Sequence, residues 1–303
     1  MTNTVNNRRT QMHDVRLIAS DMDHTLLDEQ GELPPGIDSY VSRLHAAGIT
    51  FVAASGRPLN RLQQMFPPRE GIAYIGNNGG SVSYGDTILF ESRLSPQSYR
   101  EMAALTLRVT PGVPVACSPD AAYVLAVHAE HEEYLSRFNP RIVYIDDFEE
   151  LDAAIDKFSV YLPQGESIRY YDEVFYPAYA DEFSVTTGSP LWVDVMNPGV
   201  HKGHGLRVLA DHLGLERHQL MAFGDAYNDL EMLDEAEHSY AVRNAHEAVR
   251  QRARFLAESN ADHGVVQVIR QVLALHEGDC AEPVETVGGI GKDGVRPTQE
   301  VTL

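Results

Sequence analysis

Two strand-like runs with a helix between them open the ordered part of the chain. Val15–Ser20 is a short apolar stretch with β-branched residues and reads as a buried strand. After Pro34-Pro35, the residues Ile37, Tyr40, Val41 and Leu44 recur on one helical face, and Gly48 stops the pattern. Ile49–Ala54 is the next strand. Strand, helix and strand in this order make a βαβ unit, which commits the chain to a parallel sheet with helices on its faces.

The same alternation returns late in the chain. Strands are expected at 73–75, 191–196, 220–223, 240–242 and 255–257, and helices at 202–213, 228–233 and 265–275. Between 86 and 190 the rhythm changes. Short alternating runs at 123–127, 141–145, 158–162 and 183–187 are separated by helical patterns at 97–107, 148–155 and 168–179. The expectation is an α/β, Rossmann-like three-layer core with a mainly parallel sheet, over 14–84 and 191–275, interrupted by an inserted α+β cap over 85–190. Residues 1–13 and 276–303 lack periodicity and read as a disordered start and a loose tail. Gly288–Asp293 invites a phosphate-loop reading but fails it, because Thr286 stands at the first glycine position and Asp293 at the required Ser/Thr.

Charge narrows the partners. The 303 residues hold 44 Asp+Glu against 24 Lys+Arg, a net of −20, which argues against nucleic acid and against an anionic membrane surface. Residues 85–190 alone carry 18 acidic and 7 basic groups, so much of the excess falls in the inserted module. Two cysteines, Cys117 and Cys280, are too few for a disulfide framework or a zinc site of their own. No run is as long as a membrane span, and no apolar segment follows Arg8-Arg9 as an export signal requires, so the cytoplasm is the expected compartment.

Open α/β sheets bind ligands at the carboxyl ends of their strands. Four polar groups fall at such ends: Asp21-x-Asp23-x-Thr25, Ser55, Lys202, and Gly224-Asp225-x-x-Asn228-Asp229. Asp21, Asp23, Asp225 and Asp229 would repel one another in one cleft unless a cation sat between them. An all-oxygen donor set without Cys or His favours Mg²⁺ over Zn²⁺.

In this order and context the four groups resemble the haloacid dehalogenase-like hydrolases, specifically the Cof-type phosphatases with a large cap inserted after the second motif. Further matches are Ala54-Ser55-Gly56-Arg57-Pro58, Asn78-Gly79-Gly80, Asn197–Gly203, Ala241-Val242-x-Asn244-Ala245 and Ser259-Asn260-x-Asp262-x-Gly264-Val265. The resemblance implies that Asp21 is the nucleophile and forms an aspartyl-phosphate. It implies that Asp23 is the acid/base and that Mg²⁺ is held by Asp21, the Asp23 carbonyl and Asp225. Ser55 and the Gly56 N–H would hold a phosphoryl oxygen, and Asn228 would contact phosphate or Lys202. Arg57 is a further phosphate candidate because arginine suits phosphate, and Asn78 is another. Lys202 would offset charge on the phosphoryl group and on Asp21. Thr25 and Asp229 would support the site. The expected partner is a small phosphorylated metabolite, most of all a sugar phosphate, with the chain acting as monomer or homodimer. Pyridoxal phosphate and flavin mononucleotide are further candidates. The acidic cap favours neutral leaving groups. The alternatives are a phosphomutase or phosphotransferase, and a non-catalytic phosphometabolite sensor. A signalling receiver is disfavoured, because the nucleophile lies on the first strand and a large module is inserted.

His24 departs from the pattern, which has glycine there; it reads as a tolerated change or as a contact to the leaving group. His128 and His131 with Glu132 have metal-like spacing but read as a solvated helix start. His201 and His204 read as loop-positioning residues. The cap tyrosines Tyr170, Tyr171, Tyr176 and Tyr179 read as core, and Cys117 as a small buried hydrophobe.

Overall fold

The structure, a computed structural model, describes residues 12–276. Most of the loose segments expected at the two ends lie outside the described residues. At their inner margins His13 and His276 stack at 4.9 Å.

The first sheet has eight strands. In chain order they are β1 (Leu17–Asp21), β2 (Thr50–Ala54), β3 (Ile72–Gly76), β4 (Ser81–Tyr84) and β5 (Thr87–Glu91), then, after the second sheet, β12 (Leu220–Gly224), β13 (His238–Val242) and β14 (Phe255–Ala257). The spatial order is β14-β13-β12-β1-β2-β3-β4-β5, parallel as far as β3 and antiparallel beyond it. β1, β2, β3, β12 and β13 are buried along their whole length. A parallel sheet covered by helices on both faces requires this, and Leu17, Ile18, Phe51 and Phe223 fill its interior. The helix Ile37–Ala46 packs on Gly264–His276, and Lys202–Leu213 packs on Leu230–Glu235. The strand order reverses between β12 and β1, which places the ligand crevice at their carboxyl ends.

The second sheet has six strands: β6 (Val113–Cys117), β7 (Ala122–Leu125), β8 (Ile142–Ile145), β9 (Lys157–Tyr161), β10 (Ser184–Ser189) and β11 (Trp192–Met196). Their order is β10-β11-β9-β6-β7-β8, antiparallel except between β7 and β8. The helix Pro96–Val109 starts at Ser95, whose hydroxyl accepts from the Ser98 N–H, and packs over Phe158 and Val160 of this sheet.

Sheet membership differs from the sequence reading at both joins. Thr87–Glu91 forms a hairpin with β4 and so extends the first sheet past the expected limit at 84. Trp192–Met196, expected in the core, belongs to the second sheet. The turn from β10 is too short for a crossover, so β11 must return antiparallel beside it. The helix expected over 148–155 is a single 3₁₀ turn, Phe148–Glu150. Beyond it the chain extends to bridge Ile155 to Leu94 and to reach β9. β6 has no expected counterpart, because Pro114 interrupts the signal. It is tolerated because the ladder with β7 begins only at Val115. Among the described residues no helix is long and apolar enough to cross a membrane.

Candidate active site

β1 delivers Asp21 as its last residue, and the chain then tightens into a π turn over Met22–Leu26. Inside this turn Asp23 is extended, and His24 is left-handed at φ 61°. Glycine would take that conformation without strain; histidine holds it at a cost of order 1–2 kcal/mol. The His24 carbonyl accepts from Asn244 Nδ2 at 2.7 Å. Asn244 Oδ1 accepts from the Asn260 N–H at 3.1 Å, and Asn260 Nδ2 donates to the Leu27 carbonyl at 3.0 Å. The late motif asparagines therefore fasten the loop that carries the two leading carboxylates.

Lys202 opens the helix Lys202–Leu213 and is fully buried. His201 caps this helix, its Nδ1 accepting from the His204 N–H at 3.1 Å, whereas His204 supplies only that backbone group and packs its ring edge-on against Phe90 at 4.7 Å. Lys202 Nζ donates to Asp21 Oδ1 at 2.5 Å and to Asp229 Oδ1 at 2.6 Å. The other oxygen of Asp229 accepts the N–H groups of Asp225 and Ala226 at 3.0 and 3.1 Å. Thr25 Oγ1 donates to Asp225 Oδ1 at 2.9 Å. Asp229 is thus engaged at both oxygens, whereas the Asp21 and Asp225 carboxylates each keep an oxygen free of such bonds.

Oxygens of Asp21, Asp225 and Asp229 lie within 4.8 Å of one another, and all three residues are buried. Burial pushes the Asp21 carboxyl up to about 7 although Lys202 pulls the other way; Asp229 and Asp23 add to the rise. Burial, Asp21 and Asp229 likewise hold Asp225 well above the usual carboxylate range. Burial works against the charge of Lys202, but Asp21 and Asp229 outweigh it and raise its pKa. One buried cation among three acids leaves negative charge to be neutralised. A hard divalent cation with oxygen ligands fits this donor set.

Ser55 follows β2, and its hydroxyl accepts from the Arg57 N–H at 3.1 Å. Gly56 passes close to the second sheet: a Cβ there would sit 3.3 Å from Asn78 Oδ1 and 3.6 Å from Asp194 Oδ2. Arg57 does not stand free for phosphate. Its guanidinium grips Asp23 with both ends, Nε to Oδ2 at 2.9 Å and Nη2 to Oδ1 at 2.5 Å. Asn78 also departs from expectation. Its Nδ2 donates to Asp194 at 2.8 Å and its Oδ1 accepts from Asn228 Nδ2 at 3.0 Å. It is absent from the cleft wall and props Asn228, which does line it.

The cleft has a volume of about 450 Å³. Its floor holds Asp21, Asp225 and Ser55, and its roof comes from the second sheet. Two roof residues escaped the sequence reading. Lys157 Nζ donates to the Gly56 carbonyl at 2.9 Å and pairs with Asp194 at 3.1 Å. Asp194 also accepts from Ser159 Oγ at 2.6 Å. The available signal was a lone acid in the otherwise apolar strand Trp192–Met196. Oxygen and nitrogen atoms of His128, Glu130 and His131 also cluster, away from this cleft; Glu132 instead accepts from Tyr144. Cys117 is buried beside Ser159, as expected of a small hydrophobe.

Residues 18–269 match the family of haloacid dehalogenase-like hydrolases. The chain is 33% identical over 263 residues to the 5-amino-6-(5-phospho-D-ribitylamino)uracil phosphatase YbjI of Escherichia coli, covering 86% of this chain and 96% of that one. The crystal structure of SMU.1108c from Streptococcus mutans superposes with a TM-score of 0.80 at 28% identity, over 86% of this chain and 99% of the other. The subclass IIB sugar phosphatase BT4131 shares the fold, with a TM-score of 0.70 at 22% identity, over 84% of this chain and 98% of that one.

Proposed function

Because the chain belongs to the haloacid dehalogenase-like hydrolases, we propose that it is a Mg²⁺-dependent phosphatase of small phosphorylated metabolites, sugar phosphates foremost, working through an aspartyl-phosphate on Asp21. The observation that carries this reading is the pairing of Asp21 with buried Lys202 at the floor of a roofed cleft. The similar Escherichia coli enzyme is named for 5-amino-6-(5-phospho-D-ribitylamino)uracil, a uracil whose phosphate is carried on a ribityl chain, which supports an ester of a sugar-like alcohol.

In this reading Asp21, Asp225 and the Asp23 carbonyl would hold Mg²⁺, which would supply charge neutralisation at the phosphoryl group. Lys202 keeps the Asp21 carboxylate aimed and shields it from the incoming anion. The free Asp21 oxygen attacks phosphorus, and the bond to the leaving alcohol oxygen breaks. Asp23 donates a proton to that oxygen, then takes one from the water that hydrolyses the aspartyl-phosphate. Arg57 orients Asp23 through its two-point grip. Ser55 and the Gly56 N–H hold a phosphoryl oxygen. The second sheet closes over the leaving group, excludes bulk water and sets specificity.

Release of inorganic phosphate from a panel of sugar phosphates, with and without Mg²⁺, tests the reading. Mg²⁺-dependent turnover that Asp21→Asn abolishes, with melting behaviour retained, is the expected result. Full activity in that variant sinks the mechanism. Transfer of the phosphoryl group to a second sugar in place of water favours a phosphotransferase.

A further inference from the structure

A second cluster of ligating side chains stands beside the second sheet, away from the acids of the cleft floor. The 3₁₀ segment Ala126–His131 follows β7 and carries His128, Glu130 and His131. One ligand atom from each lies within 4.8 Å of the other two. Residues three apart in such a turn share a face, which sets His128 beside His131, with ring centroids 6.4 Å apart. Glu130, rather than Glu132, supplies the carboxylate: its Oε1 lies 3.7 Å from His131 Nε2. The His131 ring is held in turn, packing edge-on against Tyr161 at 5.4 Å. Nε2 of His128 is closed off from solvent and has no hydrogen-bond partner among the described residues. Buried polar atoms are nearly always paired, so an orphaned imidazole nitrogen in a cluster of ligating groups points to a ligand.

We propose that His128, Glu130 and His131 form a site for a divalent transition-metal ion, Zn²⁺ above all, separate from the acids of the floor. Two imidazoles and one carboxylate are a donor set that Zn²⁺ takes in open four-coordinate sites, with water in the fourth position. Mg²⁺ prefers oxygen ligands, so the two places select different ions. Ligands arranged tetrahedrally around zinc stand about 3.3–3.5 Å apart. Glu130 and His131 are already close to that spacing, and the Glu130 side chain, 64% exposed, has room to swing in. The excess of 18 acidic over 7 basic groups in residues 85–190 draws cations toward this module. A bound ion ties Ala126–His131 down on β9 through the contact of His131 with Tyr161. Tyr161 stacks on Tyr134 at 4.6 Å and lies 5.2 Å from Trp192, and both of those residues line the cleft. The ion therefore steadies a wall of the cleft from outside it. The site does not depend on the phosphatase reading.

Calorimetric titration of Zn²⁺ into the untagged full chain, with excess Mg²⁺ present, tests the site. Outer hydrogen-bond partners of metal ligands are worth about 10–100-fold in affinity, so a ligand itself is worth at least that. The expected result is saturable Zn²⁺ binding that persists in Asp225→Asn and weakens at least ~10-fold in His128→Ala, in His131→Ala and in Glu130→Gln. Glu130→Gln alters an exposed side chain, so it decides the question where a histidine variant fails to fold. Co²⁺ gives a second readout. Trp192 is the sole tryptophan of the chain, and paramagnetic Co²⁺ seated beside His131 is expected to quench its fluorescence in wild type and in Asp225→Asn but not in His131→Ala. Zn²⁺ binding that is unchanged in all three ligand variants, or that Asp225→Asn alone removes, overturns the site. So does the absence of saturable Zn²⁺ binding once Mg²⁺ is in excess.

Discussion

Lys202 Nζ lies 2.5 Å from Asp21 Oδ1, although 181 positions separate the two residues. The whole second sheet is inserted between them, so Asp21 and its counter-charge come from parts of the chain that lie on either side of it. Lys202 also pairs with Asp229, and both it and Asp229 are fully buried. Removing one member of such a group leaves an uncompensated buried charge, which costs about 3–5 kcal/mol. Lys202→Met is therefore expected to lower thermal stability in metal-free buffer and to cut kcat by roughly 100-fold or more. Adding Asp21→Asn to that variant should restore part of the stability and none of the activity. A Lys202→Met protein that melts with wild type contradicts the charge account.

Asp225 supplies a second test. Burial and two neighbouring acids raise its pKa, so the metal-free site is held in tension. Mg²⁺ is expected to raise the melting temperature, since a ligand at 100 times its dissociation constant adds about 2.7 kcal/mol. Asp225→Asn should melt higher than wild type without Mg²⁺, gain nothing from its addition, and lose activity. Thermal unfolding across a Mg²⁺ titration decides it. An unchanged Mg²⁺ response in the variant removes Asp225 from the ligand set.

Arg57 holds Asp23 from both sides, and its guanidinium lies over the Phe138 ring at 5.1 Å. Lysine has one point charge and cannot reproduce that fork. Arg57→Lys is expected to lower kcat about 10–100-fold with a small change in KM, because it loosens the acid/base and not the phosphate grip. A rise in KM at constant kcat would return Arg57 to direct phosphate binding.

Much of the fold was legible because its signals are local. The βαβ opening, the apolar strands and the helix at Lys202 are each written within a few consecutive residues. The acids of the floor were legible for the same reason, since each follows a strand. What escaped depends on pairing across the chain. Trp192–Met196 has the apolar pattern of either sheet, and only its hairpin with Ser184–Ser189 decides between them. Asn78 follows a strand like the other candidates, but its partners Asp194 and Asn228 lie far away in sequence. Lys157 carries no motif. Its meaning comes from the cleft that forms when the second sheet folds over the first.

Asp156 makes the last prediction, one of stability alone. It is fully buried and accepts from Ser81 at 2.7 Å, Asn77 at 3.0 Å and Arg93 at 2.8 Å, tying the second sheet to the end of the first. Burial nevertheless pushes its carboxyl up to about 6, against the pull of Ser81 and Arg93. A carboxyl whose folded pKa exceeds its unfolded one binds protons more tightly when folded. Its contribution is complete below about 4 and is lost as pH rises through about 6. The loss is of the order of 3 kcal/mol, from roughly two pKa units. Asp156→Asn keeps one acceptor oxygen, for Ser81 and Asn77, gives up the one that faces Arg93 and removes the charge, and Arg93 retains Glu91 as a partner. The variant is therefore expected to match or exceed wild type at pH 7.5 and to lose that advantage near pH 4. Urea unfolding at both pH values measures it, and an equal penalty at the two would show that the Arg93 pair outweighs desolvation.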